Sequence, residues 1–282
     1  MKKIILIIIL LFELFIVIYS KEVIKEFTLT INICLYALMP TMFFQIFFSN
    51  ILVNIDIEKY LSNKICNIFN INKKELLIIL LSIFSGYPNN IRLLNKSSNE
   101  YLNYSTNYIN PLFILVTVGS IYLKNIKLSL IIYLSHVLSN IIMLYLLKNK
   151  HNNEELVIKK STNLFNESIM ITIKSLSIIF SNLLLISLLV TFVKVLLPTN
   201  VISSMIIGLI EFSRGTYEIS YLNLNLFIKG LLILIIITFG SISIHFQAIS
   251  LNSKIKYIKF LLFRILNVLI SVLIYILMYQ FQ

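Results

Sequence analysis

The hydrophobic positions of this chain fall in long, nearly unbroken runs, without the two-residue alternation of a strand. A helix needs about 20 apolar residues to cross a bilayer, whereas a barrel strand needs only about 10. The runs that are long enough for full helical spans lie at 27–53, 101–123, 127–147, 173–197, 229–250 and 257–281. The pattern therefore predicts an all-α polytopic membrane protein.

Two further apolar runs, at 76–84 and 201–210, are too short to cross. At 1.5 Å per residue, neither reaches across a hydrocarbon core of about 30 Å. The first is followed by the polar segment SGYPNN and the second by EFSRG. Glycine, proline and amides cannot continue a lipid-facing helix, so each run predicts a re-entrant hairpin with an interrupted tip.

Two of the full spans also contain breaks, at Asn110-Pro111 and at Gly240-Ser241, and these lie at similar depths. Each half of the chain thus has the same order of elements: a span, an interrupted hairpin, a broken span and a final span. The predicted organisation consists of an N-terminal transmembrane anchor at 1–26, a first repeat at 27–147, a polar linker at 148–163 and a second repeat at 164–282.

The N-terminal run at 4–19 follows two lysines, as in a signal peptide. No small-x-small cleavage site precedes Lys21, so an uncleaved span is favoured over a cleaved signal. Glu13 lies in the middle of this run, where a carboxylate is costly unless it faces protein or water.

Composition and charge support the membrane assignment. Hydrophobic residues make up 58% of the 282 residues and charged residues only 13%, and the mean hydropathy is +0.91. The net charge of +12 comes from lysines between the apolar runs, which indicates orientation and not nucleic-acid binding.

The lysine-rich segments 56–75, 148–160 and 252–259 fall on one side, the cytoplasmic side, if the N-terminus is cytoplasmic. The two hairpins then enter from opposite sides, and the halves are inverted repeats. Inverted repeats with broken helices at the midplane are typical of transporters. The alternative is an ordinary bundle in which Gly and Pro merely kink helices.

Enzymatic chemistry is not expected, because the chain has no HExxH sequence, Walker A loop or GxSxG elbow. Cys34 and Cys66 show neither CxxC spacing nor a neighbouring His cluster, so they are predicted to be packing residues. No catalytic residue, metal site or cofactor is predicted.

Four motifs occur in order along the chain: SGYPNNIR, NYINPLFILVTVG, GLIEFSRG and FGSISIHFQ. They resemble S-G-Y-P-x-G-A-(K/R), N-x-x-G-P-L-F-I, G-L-L-E-(I/F)-(T/S)-x-G and F-G-G-(L/I)-x-V-H-x-Q of the sporulation integral membrane proteins of endospore-forming bacteria. That family carries the nucleoside-recognition (gate) domain and is related to concentrative nucleoside transporters. FRILN at 263–267 is similar to the arginine-bearing closing helix of the family. The resemblance covers about residue 27 to the C-terminus.

The resemblance implies two gate-like repeats in a protein of the mother-cell membrane around the developing spore. It also implies passage of dipicolinate, a small aromatic dicarboxylate, toward the spore by alternating access. The chain departs from the family pattern at Asn90, Ile91, Asn110 and Ser241, where the family has smaller residues. The dimensions of the substrate could therefore differ.

The arginines independently suggest an anionic substrate. Arg92 and Arg214 follow the two hairpin tips, whereas lysines fill the loops. A guanidinium group forms a planar fork that matches a carboxylate. Arg214 could instead pair with Glu211, three residues before it.

The predicted substrate-binding residues surround the four interruptions and the closing helix. They are Ser85, Gly86, Tyr87, Pro88, Asn89, Asn90, Arg92, Asn107, Asn110, Pro111, Glu211, Ser213, Arg214, Gly240, Ser241, His245, Gln247 and Arg264. His245 is interpreted either as a proton carrier or as a buried histidine that donates to a carbonyl. His136 is expected to pack or to hydrogen-bond between helices.

Two other functions stay open at this stage, a cation-coupled nucleoside transporter and a non-transporting factor for assembly of the spore envelope. The predicted partners are a small-molecule anion and the lipid bilayer, without nucleic acid. The coupling ion is unknown, and a homo-oligomer stays open.

Overall fold

The computed structural model describes residues 2–87, 89–94, 99–148, 163–252 and 254–281. Within this part of the chain all regular structure is helical, and five helices are long and apolar enough to span a membrane. These are Ser20–Asn54, Ile126–Leu146, Leu164–Leu196, Leu226–Leu251 and Tyr257–Gln280. The chain is a multi-pass all-α membrane protein. Pro88 and nearly all of the predicted linker at 148–163 lie outside the described residues.

Among its described residues, the N-terminal half contains eight α-helices and three segments of other helix types. The helices are α1 (Lys2–Ile18), α2 (Ser20–Ile33), α3 (Met39–Asn54), α4 (Asn63–Phe69), α5 (Lys73–Ser85), α6 (Asn89–Leu94), α7 (Leu102–Ser105) and α8 (Ile126–Leu146). Two π-helical segments, Cys34–Leu38 and Phe113–Tyr122, and the 3₁₀ turn Ile57–Tyr60 complete this half.

In the part of the C-terminal half that the structure describes there are six α-helices, which repeat the same order of elements. They are α9 (Leu164–Leu196), α10 (Val201–Ile210), α11 (Phe212–Tyr221), α12 (Leu226–Phe239), α13 (Ile242–Leu251) and α14 (Tyr257–Gln280). Helix α9 corresponds to α2–α3, the α10–α11 hairpin to α5–α6, the broken α12–α13 to α7 with its π-segment, and α14 to α8.

Three boundaries differ from the sequence-based expectation. Helix α1 passes into α2 with only a kink at Tyr19, because Tyr19 and Val23 keep their helical hydrogen bonds. The span predicted at 101–123 is not one helix, since residues 106–110 are non-helical between α7 and Pro111. Helix α9 begins at Leu164, before the predicted residue 173.

The first helices of the two halves pack antiparallel. Helices α2 and α3 both pack on α9. Glu26, early in α2, pairs with Lys194 near the end of α9. Phe47 in α3 instead contacts Phe165 at the start of α9, with 5.5 Å between the two ring centroids. The equivalent elements therefore run in opposite directions.

The last helices of the two halves, α8 and α14, are antiparallel as well. Ser135 of α8 donates to the Met278 sulfur 3.8 Å away, and Asn267 donates to Asn140 over 3.0 Å. The contacts in α14 thus move back from Met278 to Asn267 as α8 advances from Ser135 to Asn140. Opposite directions for both equivalent pairs are what an inverted repeat requires, so the predicted fold class is confirmed.

The two hairpins begin at opposite ends of α9. Helix α5 starts beside the turn that follows α3, where the Lys73 ammonium donates to the Lys59 carbonyl. The later part of α3 packs on the start of α9 through Phe47 and Phe165. Helix α10 starts at Val201, directly after α9 ends. The hairpins therefore enter the fold from opposite sides.

Glycines allow both hairpin tips to pack closely. Gly86 has a φ of +70°, and a Cβ there would lie 2.6 Å from the Asn110 backbone nitrogen. In the second hairpin, a Cβ on Gly215 would lie 2.1 Å from the Cα of Gly208. A larger residue at either position would force the backbones apart.

Candidate functional site

Three cavities follow one another along α9. Ile171 and Lys174 line the first, Ile179 and Leu183 the second, and Lys194 the third. Lys174 and Lys194 are separated by about 30 Å at 1.5 Å per residue, which is close to the thickness of a hydrocarbon core. We call the three the entry cavity, the central cavity and the outer cavity. Together they lie in order along the length of α9.

The central cavity is where the two hairpin tips meet. Tyr87 of the first tip and Glu211 and Phe212 of the second tip line it, together with Gln247 of α13. Its volume is about 30 Å³. That volume is enough for a water molecule, whereas ligand pockets usually span about 300–1,000 Å³. The central cavity in this structure is therefore smaller than a pocket for a small organic ligand.

Tyr87 connects the first tip to both broken spans. Its backbone N–H donates to the Tyr108 carbonyl over 2.8 Å, and its hydroxyl donates to the Ile244 carbonyl over 2.8 Å. Asn90 adds a bond from its amide to the Thr106 carbonyl, 2.6 Å away. The tip is thus fixed by backbone groups that the helix breaks leave accessible.

Asn110 organises the first break. Its side-chain oxygen accepts the N–H groups of Leu112 and Phe113 at 2.8 and 3.3 Å, as an N-cap does. Its amide donates to the Thr41 carbonyl over 3.0 Å and also to Gln45. Pro111 then occupies the first helical position, where its missing N–H costs nothing.

Arg264 stabilises the second break. Gly240, with a φ of +67°, ends α12, and Arg264 donates to the carbonyls of Phe239 (3.0 Å) and Thr238 at that end. His245 Nε2 also donates to the Phe239 carbonyl, over 3.1 Å. A cation at a helix C-terminus interacts favourably with the negative end of the helix dipole. This contact fits the interpretation of His245 as a buried donor to a carbonyl, and its interpretation as a proton carrier stays a prediction.

Arg92 lies in the wall of the entry cavity, which has a volume of about 360 Å³. Its guanidinium donates to the side-chain oxygens of Asn89 (2.7 Å) and Asn50. Lys174 lines the same cavity from α9. Within the described part of the chain, no carboxylate pairs with Arg92 or with Lys174. The cavity therefore offers two cations and neutral hydrogen-bonding groups.

Glu211 caps the second hairpin. One of its carboxylate oxygens, Oε2, accepts from the Ser213 hydroxyl (2.5 Å) and from the Arg214 backbone N–H (2.7 Å). The other, Oε1, has no hydrogen-bond partner among the described residues, and the side chain lines the central cavity. The central cavity thus carries a carboxylate, not a cation.

The side chain of Arg214 does not pair with Glu211, in contrast to the simplest sequence interpretation. It contacts Glu26 of α2 and Glu218 of its own helix. Lys194 completes this cluster, 2.9 Å from Glu26 and 2.7 Å from Glu218. Glu26 is far from Arg214 in the sequence, so spacing alone could not identify the pair.

The predicted site residues thus divide into groups. Tyr87, Glu211 and Gln247 line the central cavity, and Asn89 and Arg92 line the entry cavity. The remaining described ones line neither of these two cavities: Ser85, Gly86, Asn90, Asn107, Asn110, Pro111, Ser213, Arg214, Gly240, Ser241, His245 and Arg264. Pro88 lies outside the described residues.

The sequence interpretation missed several polar residues that line the entry cavity and the outer cavity. Lys174, Ser175 and Ser250 line the entry cavity, and Glu26 and Lys194 line the outer cavity. Lys174 and Lys194 are charged residues within the long apolar run of α9, a signal that marks functional positions in membrane helices. The serines carried no such signal.

Comparison with protein-family models, with curated proteins and with solved structures finds no match to this chain.

Proposed function

We propose that this chain is an alternating-access transporter that moves a small aromatic dicarboxylate, dipicolinate, into the developing spore. The observation that carries the proposal is the convergence of the two hairpin tips on one small cavity between two larger ones. Hairpins that enter from opposite sides can open that cavity to one side at a time.

The preference for an anion rests on the entry cavity. Arg92 and Lys174 supply two cations, and Asn89, Ser175 and Ser250 supply hydrogen-bonding groups. A guanidinium fork and an ammonium group are suited to two carboxylates on one ring. The cavity volume of about 360 Å³ falls in the range that small ligands need. The proposed location is the mother-cell-derived membrane around the forespore.

A second candidate function, cation-coupled transport of nucleosides, is favoured by one observation. Glu211 gives the central cavity a carboxylate with an unpaired oxygen. A carboxylate there repels an anion, but it accepts hydrogen bonds from a neutral substrate or binds a coupling cation. The two candidates therefore differ in the charge of the substrate.

Uptake of radiolabelled dipicolinate and uridine by the purified protein in proteoliposomes tests both. We expect saturable dipicolinate uptake that unlabelled dipicolinate competes and uridine does not. Uridine uptake that follows an imposed cation gradient, without dipicolinate uptake, would replace the first candidate by the second. Flux of neither compound would favour a non-transporting role in spore-envelope assembly.

A further inference from the structure

Four charged side chains from three helices meet at the outer end of α9. Glu26 of α2, Lys194 of α9, and Arg214 and Glu218 of α11 form one cluster, in which each carboxylate contacts both cations. Lys194 Nζ lies 2.9 Å from Glu26 and 2.7 Å from Glu218, and Arg214 Nη2 lies 3.3 Å from Glu218. Two cations thus form ion pairs with two carboxylates.

Arg214 has unused hydrogen-bonding capacity. Its side chain is only 1% exposed, and its Nε and Nη1 atoms have no hydrogen-bond partner within the described residues. The Tyr217 ring lies 5.4 Å from the guanidinium carbon. A guanidinium group donates to a carboxylate in a bidentate way through Nη2 together with Nε or Nη1, so Arg214 could form such a pair once the glutamates release Nη2.

The cluster lies between the central and the outer cavity. Arg214 is one helical turn after Glu211, which lines the central cavity. Glu26 and Lys194 line the outer cavity, which has a volume of about 450 Å³. An anion that passes between these cavities therefore meets Arg214 and Lys194.

We propose that Arg214 and Lys194 form a second anion-binding site, which Glu26 and Glu218 occupy in this structure and which a dicarboxylate occupies after it displaces them. The two glutamates act as internal competitors and keep the outer side closed. The path from the central cavity rests on the proposed transport function, but the binding site itself can be tested without transport.

The test measures equilibrium binding of radiolabelled dipicolinate to the purified protein in an Arg92→Gln/Lys174→Gln background. Loss of both entry-cavity cations leaves the second site as the source of binding. Adding Glu26→Gln and Glu218→Gln removes the competing carboxylates but keeps similar shapes. We expect the Kd for dipicolinate to fall at least tenfold, and the Kd for the monocarboxylate benzoate to fall less.

Two controls make the result specific. Arg214→Lys on top of the two Gln changes should abolish the gain, because lysine keeps the charge but lacks the fork. Glu22→Gln removes an exposed carboxylate one turn before Glu26 that also lines the outer cavity but pairs with neither cation, and it should change the Kd much less than the two Gln changes. An equal fall in Kd from Glu22→Gln would overturn the proposal that dipicolinate displaces the two glutamates. It would indicate a general effect of removing negative charge.

Unchanged or weaker binding in the Gln variants, with monodisperse protein, would overturn the second site and leave a structural ion cluster. If the double variant does not fold, Glu218→Gln alone is used, because Glu26 still contacts both cations. That variant should show a smaller fall in Kd, and no fall would overturn the proposal. Failure of the proposed function alone would show differently, as absence of flux in wild-type proteoliposomes.

Discussion

Arg92 and Arg264 are both largely buried guanidinium groups beside an interruption, but their surroundings differ. Arg264 donates to the carbonyls at the end of α12, so its charge stabilises a broken helix. Arg92 donates to two neutral amide side chains and lines a cavity. A buried cation without a carboxylate partner is costly in a membrane, and an anionic ligand would offset that cost.

We therefore expect Arg92→Gln to lower dipicolinate uptake by about tenfold or more, because a hydrogen bond to a charged group contributes about 1.5–3 kcal/mol. Arg92→Lys should lower uptake less, since it keeps the charge but loses the planar fork. The measurement is initial uptake per unit of protein in proteoliposomes, with exposed Lys127→Gln as the matched loss of one positive charge.

If the Arg92→Gln variant takes up dipicolinate as fast as the wild type at equal protein abundance, Arg92 is a packing residue. That result would also remove the main support for an anionic substrate in the entry cavity.

At the scale of the elements, side-chain hydrogen bonds connect each break in a helix to another part of the fold. The first break relies on Asn110, which caps the following helix and connects it to Thr41 and Gln45 of α3. The second relies on Arg264 of α14. At both breaks, side chains thus bond to backbone groups at the interrupted helix end, as irregular structure at membrane depth requires.

Asn110→Ala should destabilise the protein by about 1–2 kcal/mol, since it removes an N-cap and two side-chain bonds to α3. Asn110→Ser should cost less, because a serine hydroxyl at the N-cap can still accept from the backbone N–H groups of the first turn. Pro111→Ala is the control, for proline at the first helical position makes no hydrogen bond that alanine would restore. Thermal unfolding of each variant in detergent gives the comparison. Equal melting temperatures for Asn110→Ala and wild type would contradict the capping role.

At the scale of the whole molecule, the two halves are inverted repeats that pack on each other through α3 with α9 and through α8 with α14. The antiparallel pairs α3–α9 and α8–α14 put the two hairpin entrances at opposite ends of the fold. This arrangement predicts which exposed positions are accessible from each side of a membrane.

Tyr60 and Tyr221 are exposed residues near opposite hairpin entrances. Single cysteines at these positions, in a background without Cys34 and Cys66, should react with an impermeant thiol reagent from opposite sides of the membrane. The lysine-rich segments place Tyr60 on the cytoplasmic side. Labelling of both cysteines from the same side would contradict the inverted topology.

The sequence by itself determined the solvent and the class of fold. Backbone groups in a bilayer must be satisfied internally, so long apolar runs could only become helices. The short runs 76–84 and 201–210 could not span, and the structure has hairpins there, with α5 and α10 ending at the predicted interruptions. Polarity and length are local properties, which explains why these predictions hold.

Only the tertiary structure decided what each polar residue contacts. Arg214 and Arg264 look alike in the sequence, yet one meets carboxylates from α2 and α11 and the other meets carbonyls of α12. Lys174 faces Arg92 across the entry cavity because α9 packs antiparallel to the first half. Partners that are distant in the chain are set by helix packing, and spacing along a single sequence carries no record of it.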